Sequence, residues 1–478
     1  MIIILFSGLY LAQVISNHYF FRTYAFDYAL HNNAIWDFSH FRVNPNPIMT
    51  PPLKTFFQVH LSYTLIFILP LYWLLNPIAG TYTLLIIEVL FIILGGIGCY
   101  KFIKYLTNDY KLALLALFHY FILQGHFASL SSDYNDAIMG SAIITWFIYF
   151  FIKNKFVLSS LAFLFVLLSK ENMSVWLVFV TVVLIIWQFK NRKARYFAGI
   201  YIVIAIAYFI IAMTVMIPYY EDPAFPYWGF HYRSFGETPK EVFKYFLAHP
   251  IEVFFKLFYN HNGHKLGNWV KAEYYYYFLI CGGWLLFRRP VILLAILPML
   301  AQKMLMDYPS RWSLGAYHSV EIESIYTLSV FYALSKIKNL ESKYIIGLVI
   351  TILCTHATIY GTGAERKYWH HEIKENVFSP KMYRSDLNIK EIRNALKMVP
   401  DDAGVCATNT ITPHLAYRSK IYVFPEIRDA EYIVLLDDGN PYPLKMDRFE
   451  ELKTDYLDSH EWETIYNKYQ LTIFRKIP

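Results

Sequence analysis

The sequence predicts an all-α polytopic membrane bundle, with a small α/β domain at its C-terminal end. Three observations predict it. Hydrophobic residues make up 56% of the 478 residues and charged residues only 17%, with a positive mean hydropathy of +0.33. Up to about residue 361 the chain is a train of apolar blocks separated by short polar breaks, most of them near the length a helix needs to cross the hydrocarbon core. From about residue 362 the pattern becomes that of an ordinary soluble α/β segment.

Spans are expected at 2–18, 81–104, 111–128, 137–152, 156–169, 173–189, 196–217, 273–287, 290–306, 319–336 and 343–361. The first block starts at Met1 with no basic region and no clear small-residue cleavage site, so it reads as an uncleaved span. Lys and Arg favour cytoplasmic span ends. The basic breaks are Lys101, Lys104 and Lys111; Lys153 and Lys155; Lys190, Arg192, Lys193 and Arg195; Arg288 and Arg289; and Lys336, Lys338 and Lys343. Placing them all inside leaves an even number of spans between successive breaks. The N-terminus is then cytoplasmic and the C-terminal domain extracytoplasmic, in a multi-pass protein of the cell (inner) membrane.

Residues 61–78, LSYTLIFILPLYWLLNPI, do not fit as a crossing, which would put Lys101 and Lys104 outside. Pro70 in their middle also removes a helix hydrogen bond, so an interfacial helix is expected there. The net charge of +7 is no nucleic-acid signal, because much of it sits at span ends. Four cysteines without a CxxC pair suggest neither a disulfide framework nor a zinc site.

With sidedness set, the outer breaks collect the polar chemistry. The first loop carries Asp27, His31, Asp37 and His60, the second Asp133, Asn135 and Asp136, and the third Lys170, Glu171 and Asn172 in SKENM. A long loop at about 218–272 carries His231, and a later break carries Asp307, Arg311, His318, Glu321 and Glu323. SKENM is the informative one. It lies between apolar stretches too short to lift it far above the membrane, and ionisable groups at such depth need a partner or a wet cavity. The bland alternative is an interfacial Lys–Glu pair with Lys170 snorkelling outward. His60 reads as a polar cap for the helix that follows it. His318 and Glu321, three apart, share a helix face; that spacing suits a metal or acid/base pair as well as a buried hydrogen-bonded pair.

The order YAFDYALHNNAIWDF, HLSYTLIFILPLYWLL, SSDYNDAI and LLSKENMSVWL resembles an uncharacterised family of bacterial and archaeal polytopic membrane proteins. AYHSVEIE extends the resemblance to about residue 340. Asn135 stands where the family more often has a His. That family is similar to the GT-C superfamily, membrane glycosyltransferases using lipid-phosphate-linked sugars. The resemblance implies a bundle of about 11–13 helices with its active site in the first outer loops.

The activity so implied is inverting transfer of a sugar from a polyprenyl-phosphate donor to an acceptor glycan, lipid or protein. Asp27 is the expected catalytic base, with Glu171 or Asp133 as a second acid. Lys170 is expected to meet the lipid phosphate, with His60 and His318 behind it. Asn172, His231, Arg311 and Glu321 complete the expected substrate-binding set. A divalent cation (Mg or Mn) on Asp133 and Asp136 is compatible with this chemistry, and no cofactor is otherwise implied. A transporter or lipid flippase is the rival reading; against it stand the lack of an internal repeat and the clustering of polar groups at one face. A non-catalytic assembly factor is the third. Residues 362–478 read as one amphipathic helix, buried strands at GVCATN and EYIVLLDD, and a terminal hairpin, expected to serve as a lid or acceptor module.

Overall fold

The computed structural model describes residues 1–43, 45–50, 52–131, 133–221, 230–265, 267–315, 317–363 and 376–478. The principal helices are α1 (Ile2–Tyr19), α2 (Leu30–Ser39), α3 (Leu69–Ala79), α4 (Thr83–Thr107), α5 (Tyr110–Ile122), α6 (Gln124–Ser131), α7 (Asp136–Ile152), α8 (Phe156–Leu167) and α9 (Met173–Trp187). There follow α10 (Arg192–Ile211), α11 (Pro239–Ala248), α12 (Pro250–Lys256), α13 (Gly267–Ile280), α14 (Pro290–Leu305), α15 (Val320–Ser335) and α16 (Leu340–Gly363). Each expected span falls largely on helix, except 273–287, where the helix ends at Ile280 and a 3-10 turn, Gly283–Arg288, follows the break at Gly282. Among the described residues, five helical runs are long and apolar enough to cross a membrane: Ile2–Tyr19, Leu69–Thr107, Tyr110–Ser131, Arg192–Tyr220 and Leu340–Thr362. Helices α7, α8, α9 and α14 are shorter and apolar. The boundary expected at 361–362 falls in the last turn of α16, and residues 364–375 lie outside the described set, as does the FPYWG part of the long loop.

Residues 61–78 form two pieces rather than one helix, a turn at Thr64–Phe67 and then α3, divided at Ile68. Pro70 therefore sits in the first turn of α3, where its missing N–H is not needed. The 11 residues of α3 rise about 16 Å, half a hydrocarbon core. The tightest contact in the bundle joins α4 to α7. A Cβ on Gly95 would lie 2.9 Å from the Cα of Ala142, and Thr145 Oγ1 donates to the Gly95 carbonyl at 3.0 Å. Small residues let these backbones approach.

One end of the bundle is basic and aromatic. Lys153 lies over the Tyr105 and Tyr149 rings, Asn191 bonds Asn154 at 2.7 Å, Tyr344 donates to Asp109 at 2.7 Å, and Lys336 covers Tyr332, which packs on Trp187. These are the positive breaks of the sequence, brought together.

At the opposite end sits a five-stranded sheet with strands β1 (Val405–Ala407), β2 (Ile421–Val423), β3 (Tyr432–Leu436), β4 (Trp462–Lys468) and β5 (Leu471–Lys476), ordered β2-β1-β3-β5-β4. β1 runs parallel to β2 and β3, and β5 is antiparallel to β3 and β4. Helices α17 (Ile389–Leu396) and α18 (Met446–Leu457) flank it. One face of the sheet (Val405, Ala407, Val434, Ile473) shares a core with Phe21, Ala25, Ala29 and Ile48 of the first loop. The other face packs Phe474 and Ile433 against Phe449 of α18.

Polar contacts follow the same seam. Asn33 Nδ2 donates to the carbonyls of Ala416 and Arg418 at 2.9 and 2.8 Å, Asn409 Oδ1 accepts from the Ala25 N–H at 2.9 Å, and Arg428 donates to the carbonyls of Pro47 and Met49. The His414 ring stacks on His18 at 4.0 Å.

Burial first, then His18 and Arg393, hold His414 well below its ordinary value. A base lowered in this way adds stability that is complete above the unfolded value near 6.5 and is lost as pH falls below it. Acidification from about pH 7.5 to pH 5 is therefore expected to loosen the seam, read as faster hydrogen exchange at β1 and β2. His414→Phe should flatten that dependence; an unchanged slope would refute the assignment.

Candidate active site

Two short helices, α8 and α9, meet in the turn Leu168–Asn172, and that turn is stitched to the first loop. Glu171 Oε2 accepts from the Leu61 N–H at 3.2 Å, the Leu168 carbonyl accepts from the Tyr63 N–H at 3.0 Å, and His60 Nδ1 lies 3.3 Å from Glu171 Oε1 without a well-aligned hydrogen bond. His60 is thus a partner of Glu171 and not the helix cap expected from sequence; the first helical turn after it starts at Thr64, with Tyr63 at the cap position.

Lys170 points the other way. It is only 8% exposed, and among the described residues its ammonium has no hydrogen bond and no ion pair. It stands within electrostatic reach of Glu321, His318 and His231. Asn172 also lies beside Glu321. Arg311 Nη1 donates to His318 Nε2 at 2.7 Å and also to the Tyr317 hydroxyl; since guanidinium only donates, His318 accepts as a neutral ring. Burial first, then Arg311 and Lys170, push His318 well below its ordinary value. Burial and then Arg311 push His231 down to about 4. The Arg311 loop is held from below, because Lys303 Nζ donates to the carbonyls of Arg311 and Ser313 at 2.8 Å each. His231 reaches this cluster from the long loop, its carbonyl accepting from the Asp307 N–H at 2.8 Å.

Asp27 lies in a π-helical turn, Ala25–Ala29, whose first N–H is the one held by Asn409. Its carboxylate is exposed and has no hydrogen bond or ion pair among the described residues, although Arg311 feels its charge. The Asp27 carbonyl instead accepts from His31 Nδ1 at 2.8 Å, and His31 Nε2 lies 3.8 Å from Asp136 Oδ2. Burial, opposed mainly by Asp136, pulls His31 down from its ordinary value.

The other two acids are occupied. Asp136 accepts from the Tyr134 hydroxyl at 3.0 Å and from Thr64. Asp133, at φ +69°, accepts from the Tyr24 N–H at 2.9 Å. These two acids serve different partners, and among the described residues no three His, Cys, Asp or Glu side chains are grouped to hold a metal.

Two groups at the site were not read from sequence: Lys303 and Glu88, whose carboxylate accepts from the Asn135 N–H, both lie inside expected spans and were passed over. The signal was there, since both are ionisable residues within apolar runs.

Among solved structures the chain is similar to ArnT from Cupriavidus metallidurans bound to undecaprenyl phosphate, at 10% identity and a TM-score of 0.50, over 99% of this chain and 98% of that one. It is also similar to the arabinofuranosyltransferase AftD from Mycobacteria, at 10% identity and a TM-score of 0.50, over 99% of this chain and 39% of that one. At such identity the likeness shows the fold, and it is the GT-C-like membrane fold the sequence resemblance implied. No curated protein sequence matches. Residues 17–460 match the family model of DUF2079, described as a predicted membrane protein, and the chain belongs to that family.

Proposed function

We propose that this chain is an inverting glycosyltransferase that moves a sugar from a polyprenyl-phosphate donor to an acceptor hydroxyl on the extracytoplasmic side. The observation that carries the reading is Lys170, a buried cation with no ion pair, ringed by Arg311, His318 and His231. A buried charge is costly unless something neutralises it, and a lipid phosphate supplies the missing anion. The ArnT structure, to which the chain is similar in fold, is bound to undecaprenyl phosphate, which supports this reading.

In the proposed reaction the acceptor oxygen attacks the anomeric carbon and gives its proton to Asp27. The bond from that carbon to the phosphate oxygen breaks, and the lipid phosphate leaves onto Lys170 with Arg311 beside it. Neutral His318 and His231 offer hydrogen bonds without adding charge. Glu321, reached by both Lys170 and Asn172, orients the cation. Glu171 keeps His60 and the first loop against the bundle, and the occupied Asp133 and Asp136 hold the loops that frame Asp27. The C-terminal domain is the proposed acceptor wall, its Tyr442 packing on Phe26 at 5.7 Å, next to Asp27. The basic breaks gather at the end opposite this site, which supports an extracytoplasmic site.

The test is transfer by the full-length chain in liposomes with polyprenyl-phosphate sugars. Lys170→Ala should cost about 10²–10³ in rate, the scale of one lost oxyanion donor, and weaken undecaprenyl phosphate binding. Asp27→Asn should cost about 10²–10⁴ while that binding persists. Full transfer by Asp27→Asn, with loss in Glu171→Gln or Asp133→Asn, would move the base elsewhere. Glu171→Gln should instead destabilise by about 1–3 kcal/mol, seen as a lower melting temperature in detergent.

A further inference from the structure

Far from this site, an elongated groove of about 840 Å³ runs along the outside of the bundle between α5 and α16, with Ile2 of α1 at its edge. Its origin is local. The two helices are tied at one end by the Tyr344–Asp109 bond and at the other by Thr358 Oγ1 donating to the Ile122 carbonyl, each at 2.7 Å. Between the ties, Thr351 and Thr355 turn their hydroxyls back onto carbonyls of their own helix, and His356 lines the space beside them. The walls are Leu114, Leu115, Phe118, Leu348 and Ile352. From Tyr344 to Ile359 the groove follows about 22 Å of helix, close to the reach of one long acyl chain.

At its basic end the groove meets Lys111. Asp109 already caps α5, accepting from the Lys111 and Leu112 N–H groups, and takes the Tyr344 hydroxyl as well. The Lys111 ammonium is left without an ion pair or hydrogen bond among the described residues. A furrow facing hydrocarbon is filled by lipid chains, because water has no place there. A cation at its mouth, between helices on the positive side, selects the headgroup.

We propose that this groove is a binding site for an anionic phospholipid, with its phosphate at Lys111 and an acyl chain along α5 and α16. The site is independent of the glycosyltransferase reading. It splints α16, whose far end, at Thr362, accepts from Asn376 at the start of the C-terminal region.

The experiment is native mass spectrometry of the full-length chain released from nanodiscs of equimolar phosphatidylglycerol and phosphatidylcholine. Wild type should retain phosphatidylglycerol with about fivefold preference, what one lysine is worth at a membrane surface. Lys111→Ala should retain both lipids equally, and Leu348→Trp, at a half-exposed position, should lose the bound lipid while Lys111 remains. Equal retention by wild type, or a preference that survives Lys111→Ala, overturns the proposal, as does lipid retention unchanged by Leu348→Trp.

Discussion

Glu171 is the point on which the polar end of the molecule turns. It sits in a turn between two helices too short to project beyond the membrane surface, and its two oxygens face His60 and the Leu61 N–H. A carboxylate in that position would be expensive if left alone. Once satisfied, it fastens the first loop to the bundle, and its neighbour Lys170 is turned toward Glu321, His318 and His231. The two residues differ in this respect: Glu171 is taken up by contacts to the first loop, and Lys170 has no hydrogen bond or ion pair among the described residues.

The same division runs through the other acids. Asp133 and Asp136 are each taken up by donors of the chain itself, whereas Asp27 is exposed on a π-helical turn. Such turns store an irregular backbone at places of use. This one is supported on both sides, by Asn409 from the sheet domain and by His31 from its own helix. The backbone of the turn is thus held from both sides while the Asp27 side chain stays exposed.

Much of the membrane architecture was legible because spans are written in composition, and all the expected blocks but 273–287 fell largely on helix. The charge of the breaks also carried information, since those lysines and arginines do gather at one end. SKENM stood out because two charges at that depth need an explanation. What stayed hidden depends on distance along the chain. Nothing local in Asn33 or Asn409 announces contacts to residues some 380 positions away. Strand β2 is three residues long, too short for a period to show. Pro70 was read as a break in mid-helix because the division at Ile68 comes from packing, and His60 was read as a cap because its partner lies 111 residues on.

The shared core between the first loop and the sheet has a consequence for biosynthesis. Phe21, Ala25, Ala29 and Ile48 leave the ribosome early, while the strands that cover them come last. At about 5–20 residues per second, tens of seconds separate the two. During that interval the helices can be threaded into the bilayer, but the wall over the Asp27 turn does not yet exist. Covering of the first loop is thereby deferred until synthesis is almost finished, so a nascent chain carries that loop bare while it is still being made.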